Sequence, residues 1–143
     1  MKCWTVFALV LGSAFVLSLG SLQLSAQVCS DDEGMVTYYK KDVMDLVETV
    51  KKESLVDFEK AFHQKVMTTH LSLFGGTVDR MLDCLQKRAN DPATLKEDAD
   101  AAKGKIGAYS KLKDRIKQDR DALKAAQTEK DAKALIEKFA YTT

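Results

Sequence analysis

Few side chains in this sequence are placed to do chemistry, and their spacing limits what that chemistry is. His63 and His70 are seven residues apart, near one face of a helix, with Met67 between them and Glu59 one turn before His63. A metal site needs more ligands converging on one point, and no His-Glu-x-x-His pattern is present. The two histidines read as surface or core-edge residues, and no metal and no cofactor is expected. There is no Gly-x-Ser-x-Gly elbow, and no Ser, His and Asp set stands out. Phe74-Gly75-Gly76-Thr77 has neither the Lys nor the spacing of a phosphate-binding loop. The expectation is a protein that binds rather than an enzyme.

The cysteines carry a stronger signal. Cys3 belongs to an N-terminal leader described below, which leaves Cys29 and Cys84. Two cysteines in a secreted chain are expected to form one intramolecular disulfide, with pairing between two chains as the alternative. The internal bond would close a loop of about 55 residues and constrain the unfolded chain by roughly 4 kcal/mol.

Charge is unevenly distributed. Val28 to Glu59 holds nine acidic and four basic residues, whereas Lys103 to Lys124 holds eight basic and three acidic ones. The basic tract offers Lys103, Lys105, Lys111, Lys113, Arg115, Lys117, Arg120 and Lys124 as candidates for docking an acidic protein patch, an anionic surface or a sulfated polysaccharide. The competing reading is a helix that packs beside the acidic one or simply faces solvent, where single ion pairs add little. Without the leader's Lys2, the 22 Lys and Arg fall to 21, matching the 21 Asp and Glu. That balance argues against a nucleic-acid partner, which needs a clear positive excess.

The elements that would carry these residues are helices. Ser30-Asp31-Asp32-Glu33 matches a capping box and starts a helix over about Asp31 to Lys52, with Met35, Tyr39, Val43, Leu46 and Val50 on one face. Ser54 with Asp57 is a second N-cap, followed by Leu55, Phe58, Phe62, Val66 and Leu73. Gly75-Gly76 then reads as a break. It isolates a short helix, Thr77 to Arg88, whose narrow stripe is Val78, Met81, Leu82 and Leu85, with Cys84 at its edge. Asn90-Asp91-Pro92 ends that helix. Asp91 with Pro92, or Thr94 with Glu97, starts the next one. Its stripe runs from Leu95 through Ala102, Ile106, Tyr109, Leu112 and Ile116 to Leu123, with a second break expected near Gly107. Thr128 and Asp131 cap a last helix facing inward with Ala132, Leu135, Ile136 and Phe139. No strand pattern appears. The sequence therefore predicts an all-α, compact bundle of five or six short amphipathic helices stapled by one disulfide.

The chain has 143 residues, and residues 1–26 read as a secretory signal peptide. Lys2 gives a positive start, Cys3 to Leu24 is uncharged and apolar, and Ser25-Ala26 supplies a small-residue cleavage site. An uncleaved anchor is the alternative, because the apolar run is nearly long enough to span a bilayer. Residues 27–143 form a single helical domain large enough for one modest core. No second apolar run suggests stable membrane insertion after the signal is removed. Phe58, Phe62, Phe74, Ile106 and Tyr109 have a second reading beside ordinary core, as the lining of a cavity for a lipid or other small apolar ligand.

The charged tract KLKDRIKQDRDALKAA and the ending ALIEKFAYTT, behind a signal peptide and within a short helical chain of few cysteines, resemble the small salivary proteins of anopheline mosquitoes typified by albicin and anophensin. The resemblance implies a secreted salivary protein without catalytic activity. It also implies inhibition of host plasma cascades, through the alternative complement pathway convertase or the factor XII and kallikrein contact system. The partner would be a host plasma protein or protease complex.

Overall fold

The computed structural model describes residues 17–142, and their side chains from Cys29 onward. Of the expected leader, residues 1–16 lie outside the described residues, and residues 17–26 run into the first helix. The described residues form four helices and no strand: α1 (Leu17–Lys52), α2 (Lys60–Asn90), α3 (Lys96–Ala125) and α4 (Glu129–Ile136). The all-α class and the disulfide stand. The count of five or six helices is corrected to four, because the glycines expected to break helices lie inside them.

α1 does not begin at Asp31. It passes through Ser30, so the amide that a capping box would serve already belongs to the helix. Its inward face is Val36, Val43, Val47 and Val50, with Tyr39 and Leu46 partly buried against the core, whereas Met35 stays 40% exposed. Short valines on this face let α1 lie close against α2. Lys51 and Lys52 close the helix with charges that suit its negative end.

Ser54 and Asp57 do hydrogen-bond, but they build the turn between α1 and α2 rather than a helix start. The Asp57 amide donates to Ser54 Oγ at 3.2 Å, and the Ser54 hydroxyl donates to Asp57 Oδ2 at 2.6 Å. Phe58 then drops into the core, and α2 starts at Lys60.

α2 runs unbroken through Gly75-Gly76. Two glycines cost up to about 2 kcal/mol of helix propensity relative to Ala. Fully burying Phe74 and Val78 beside them contributes about 1.5–3 kcal/mol each, so packing wins. A Cβ on Gly75 would stand 3.6 Å from Ile116 Cγ2, which shows how near α3 lies. Thr77, expected to open a helix, lies inside one, its buried hydroxyl donating to the Phe74 carbonyl at 2.7 Å. The stripe Val78, Met81, Leu82 and Leu85 is buried throughout.

α2 ends at Asn90, as expected. Asp91 then forms a turn, its carboxylate accepting from the Ala93 amide at 2.9 Å, and α3 begins only at Lys96. Neither expected cap serves that helix start. Glu97 and Asp98 in the first turn favour it through the helix dipole. α3 continues through Gly104 and Gly107, each with open space where a Cβ would go. α4 is capped by Thr128, whose Oγ1 accepts from the Asp131 amide at 3.0 Å. Beyond it, Phe139 and Tyr141 return to the core.

α2 is the centre of the arrangement. α1 packs antiparallel on one side of it and α3 antiparallel on another, and α4 touches all three. α1 and α3 have no Cα atoms within 8 Å of each other. The disulfide Cys29–Cys84, with 5.8 Å between Cα atoms, ties α1 to α2 within one chain.

Candidate binding cleft

Because α1 and α3 both rest on α2 with their backbones apart, a cleft opens between them. Glu33, Val36, Thr37 and Lys40 form its α1 wall. Lys105, Ala108, Tyr109, Lys111, Leu112 and Arg115 form the α3 wall, and Ala140 to Thr142 close one end. It holds about 640 Å³, inside the common range of roughly 300–1,000 Å³ for ligand clefts. Val36, Tyr109 and Leu112 are buried at its base, while Lys105, Lys111 and Arg115 stand exposed on its wall.

Four cations therefore face one another around a single lining carboxylate, Glu33. Glu33 reaches across to Lys105 at 3.0 Å, bridging the two walls. Burial, and then the charge and hydrogen bond of Glu33, raise the Tyr109 phenol above its ordinary value. Arg115 Nε donates to Asp119 Oδ2 at 2.9 Å, and that pair raises the guanidinium's pKa further. Asp119 also accepts from the Tyr141 hydroxyl at 2.8 Å. Tyr141 packs edge-on against Phe74, ring centres 5.4 Å apart. Burial first, then the Asp119 bond, hold its phenol protonated far above the usual tyrosine range. A three-residue polar latch thus fixes the closed end of the cleft.

The eight basic candidates are not one surface. Helical rotation of about 100° per residue spreads them around the buried stripe. Lys105, Lys111 and Arg115 turn to the cleft. Lys113 turns to α2 and pairs with Asp79 at 2.6 Å, which raises its pKa. Lys124 borders a shallow depression with Thr68, Thr69, Ser72 and Leu73 of α2, away from the cleft. Lys103 pairs along its own helix with Asp100 at 3.6 Å, Arg120 lies beside Asp121 at 3.4 Å, and Lys117 is exposed. Glu33, read from the sequence as a capping residue, and Lys40, Asp119 and Tyr141 were not among the site candidates. Asp119 carries one legible sign, a carboxylate in register with Leu112, Ile116 and Leu123.

The histidines are bound up in the α1–α2 contact. His63 Nε2 faces the buried Glu53 Oε2 at 2.9 Å, which accepts its hydrogen bond when that nitrogen is protonated. The His63 ring stacks on Phe58 with centres 4.6 Å apart. His70 Nδ1 pairs with Asp42. Among the described residues no three His, Cys, Asp or Glu side chains gather to hold a metal ion. The five residues considered for an apolar cavity separate: Phe58 and Phe74 fill the core, while Phe62 is 56% exposed. No described helix is long and apolar enough to cross a membrane.

No protein-family model matches the chain, and no curated protein or solved structure matches it either.

Proposed function

We propose that the protein is a secreted, non-enzymatic binding protein that inhibits a host plasma cascade. The target would be the alternative complement convertase, the factor XII and kallikrein contact system, or both. The observation that carries this reading is the α1/α3 cleft, which gathers Lys40, Lys105, Lys111 and Arg115 around one carboxylate. Such a concentration of charge steers an acidic protein surface into contact and sets its orientation. The disulfide supports the secreted part, because such bonds persist in oxidising compartments. The sequence resemblance supplies the choice of cascades.

Inhibition by occupancy requires contact and no bond making. The protein would sit on the protease complex or its activating surface and block amplification. The test pairs an alternative-pathway lysis assay with a kallikrein-generation assay, each with purified protein carrying the Cys29–Cys84 bond. Dose-dependent inhibition that weakens with added salt supports the reading. Absence of inhibition in both assays at micromolar protein sinks it.

A further inference from the structure

The cleft occupies the place where a fourth long helix would lie in a four-helix bundle. α1, α2 and α3 have 36, 31 and 30 residues, residues 17–26 of α1 falling in the expected signal peptide, and α4 has 8. α4 and the segment through Thr142 fill that place at one end only, leaving the stretch beside Glu33 to Lys40 and Lys105 to Arg115 open. Ten residues along α3, from Lys105 to Arg115, span about 15 Å. An extended peptide covers that distance in about four or five residues.

Chemistry narrows the occupant. Of the four cations on the walls, Lys105 pairs with Glu33 and Arg115 with Asp119, and Lys111 has no ion-pair partner among the described residues. The base is formed by Val36, Leu112 and the ring of Tyr109, whose hydroxyl is engaged by Glu33. A sulfated polysaccharide would meet the cations but leave that base uncovered. A peptide with both carboxylates and an aliphatic side chain satisfies both.

We infer that the cleft takes up a short extended acidic segment of the partner protein, carboxylates on the Lys and Arg walls and one aliphatic side chain over Val36 and Leu112. This assignment rests on the proposal that the cleft is the contact surface, and it specifies what enters. Glu33 spaces the walls through Lys105 and leaves Lys111 as the first cation an incoming carboxylate meets.

The test is fluorescence anisotropy of the full chain with a fluorescein-labelled peptide, Glu-Glu-Leu-Glu-Glu-Leu, beside its Gln-Gln-Leu-Gln-Gln-Leu counterpart. The variants are Lys111→Glu, Ala108→Trp to fill the cleft, and Lys124→Glu on the opposite edge of α3, each checked for fold by circular dichroism. The acidic peptide should bind saturably. Lys111→Glu and Ala108→Trp should each weaken it by roughly tenfold or more, about 1.4 kcal/mol, and Lys124→Glu should leave it within about twofold. Equal binding of the Gln peptide overturns the assignment, as does an equal loss in Lys124→Glu. A heparin octasaccharide that binds more tightly and ignores Ala108→Trp also overturns it. Peptide binding by a protein that inhibits neither plasma assay keeps the cleft assignment and rejects the cascade reading. Inhibition undiminished in Lys111→Glu and Ala108→Trp does the reverse.

Discussion

The two sides of α2 are fastened by different physics. Toward α1 the fastening is covalent at one end, Cys29 to Cys84, with His70–Asp42 and His63–Glu53 along the remaining length. Toward α3 there is no covalent bond. Close apolar packing, with Ile116 against Gly75, is joined there by the Lys113–Asp79 and Arg88–Asp98 ion pairs, and a latch of buried Tyr141 and Asp119 with exposed Arg115 locks the far end. A disulfide acts chiefly by restricting the unfolded chain. A buried hydrogen-bonded carboxylate acts in the folded state, where losing either partner leaves the other unsatisfied. The first side should answer to redox conditions and the second to alkaline pH, through the raised Tyr141 phenol.

The largest expected effect comes from the covalent side. Cys29→Ala with Cys84→Ala, or reduction of the wild type, should lower stability by about 4 kcal/mol for the 55-residue separation. Urea denaturation with and without reductant measures it, and an unchanged midpoint would erase the contrast. Next is Asp119→Ala, which strands the buried Tyr141 hydroxyl and should cost roughly 1–3 kcal/mol. That loss should be the same in oxidised and reduced protein if the two fastenings are independent.

The latch should also give an alkaline signature. The folded Tyr141 phenol titrates above its unfolded value, so the folded state holds a proton the unfolded chain has released. Its contribution is intact below about pH 10, the unfolded tyrosine value, and is lost as pH rises further. The decline should not exceed about 1.4 kcal/mol per pH unit. Tyr141→Phe should flatten it at a cost near 1 kcal/mol at neutral pH. A decline of the same slope in Tyr141→Phe would place its origin elsewhere. The smallest effect concerns the helix both sides share. Gly76→Ala meets open space and should stabilise by about 0.5–1 kcal/mol. Destabilisation would mean that the backbone there needs glycine.

The legible parts of the fold were those decided locally. The stripe Val78, Met81, Leu82 and Leu85 has no competing apolar neighbours, and all four are buried. Thr128 and Asp131 cap α4 through contacts three residues apart. Where two apolar stripes run side by side, as at Met35 and Val36, periodicity alone does not choose, and α2 chose the valines. Gly75-Gly76, Gly104 and Gly107 misled for the same reason, since tertiary burial outweighs a local propensity of about 1 kcal/mol each. The candidate cleft was only partly legible. Lys105, Lys111 and Arg115 were among the basic candidates, but a charge count along a helix cannot tell its two edges apart. Glu33 and Lys105 meet across a separation of 72 residues that no spacing rule addresses.

That the backbones of α1 and α3 stay apart also sets how the molecule breathes. The two helices are linked directly through Glu33, which meets Lys105 and Tyr109, and not by backbone packing, so α3 can detach while α1 remains on α2. The disulfide forbids the mirror-image event at the Cys29 end. Amide hydrogen exchange should therefore show two cooperative units rather than one. Amides of α3 should exchange at a lower free energy than those of α2 around Val78 to Leu85, and reduction should bring α1 down to join α3.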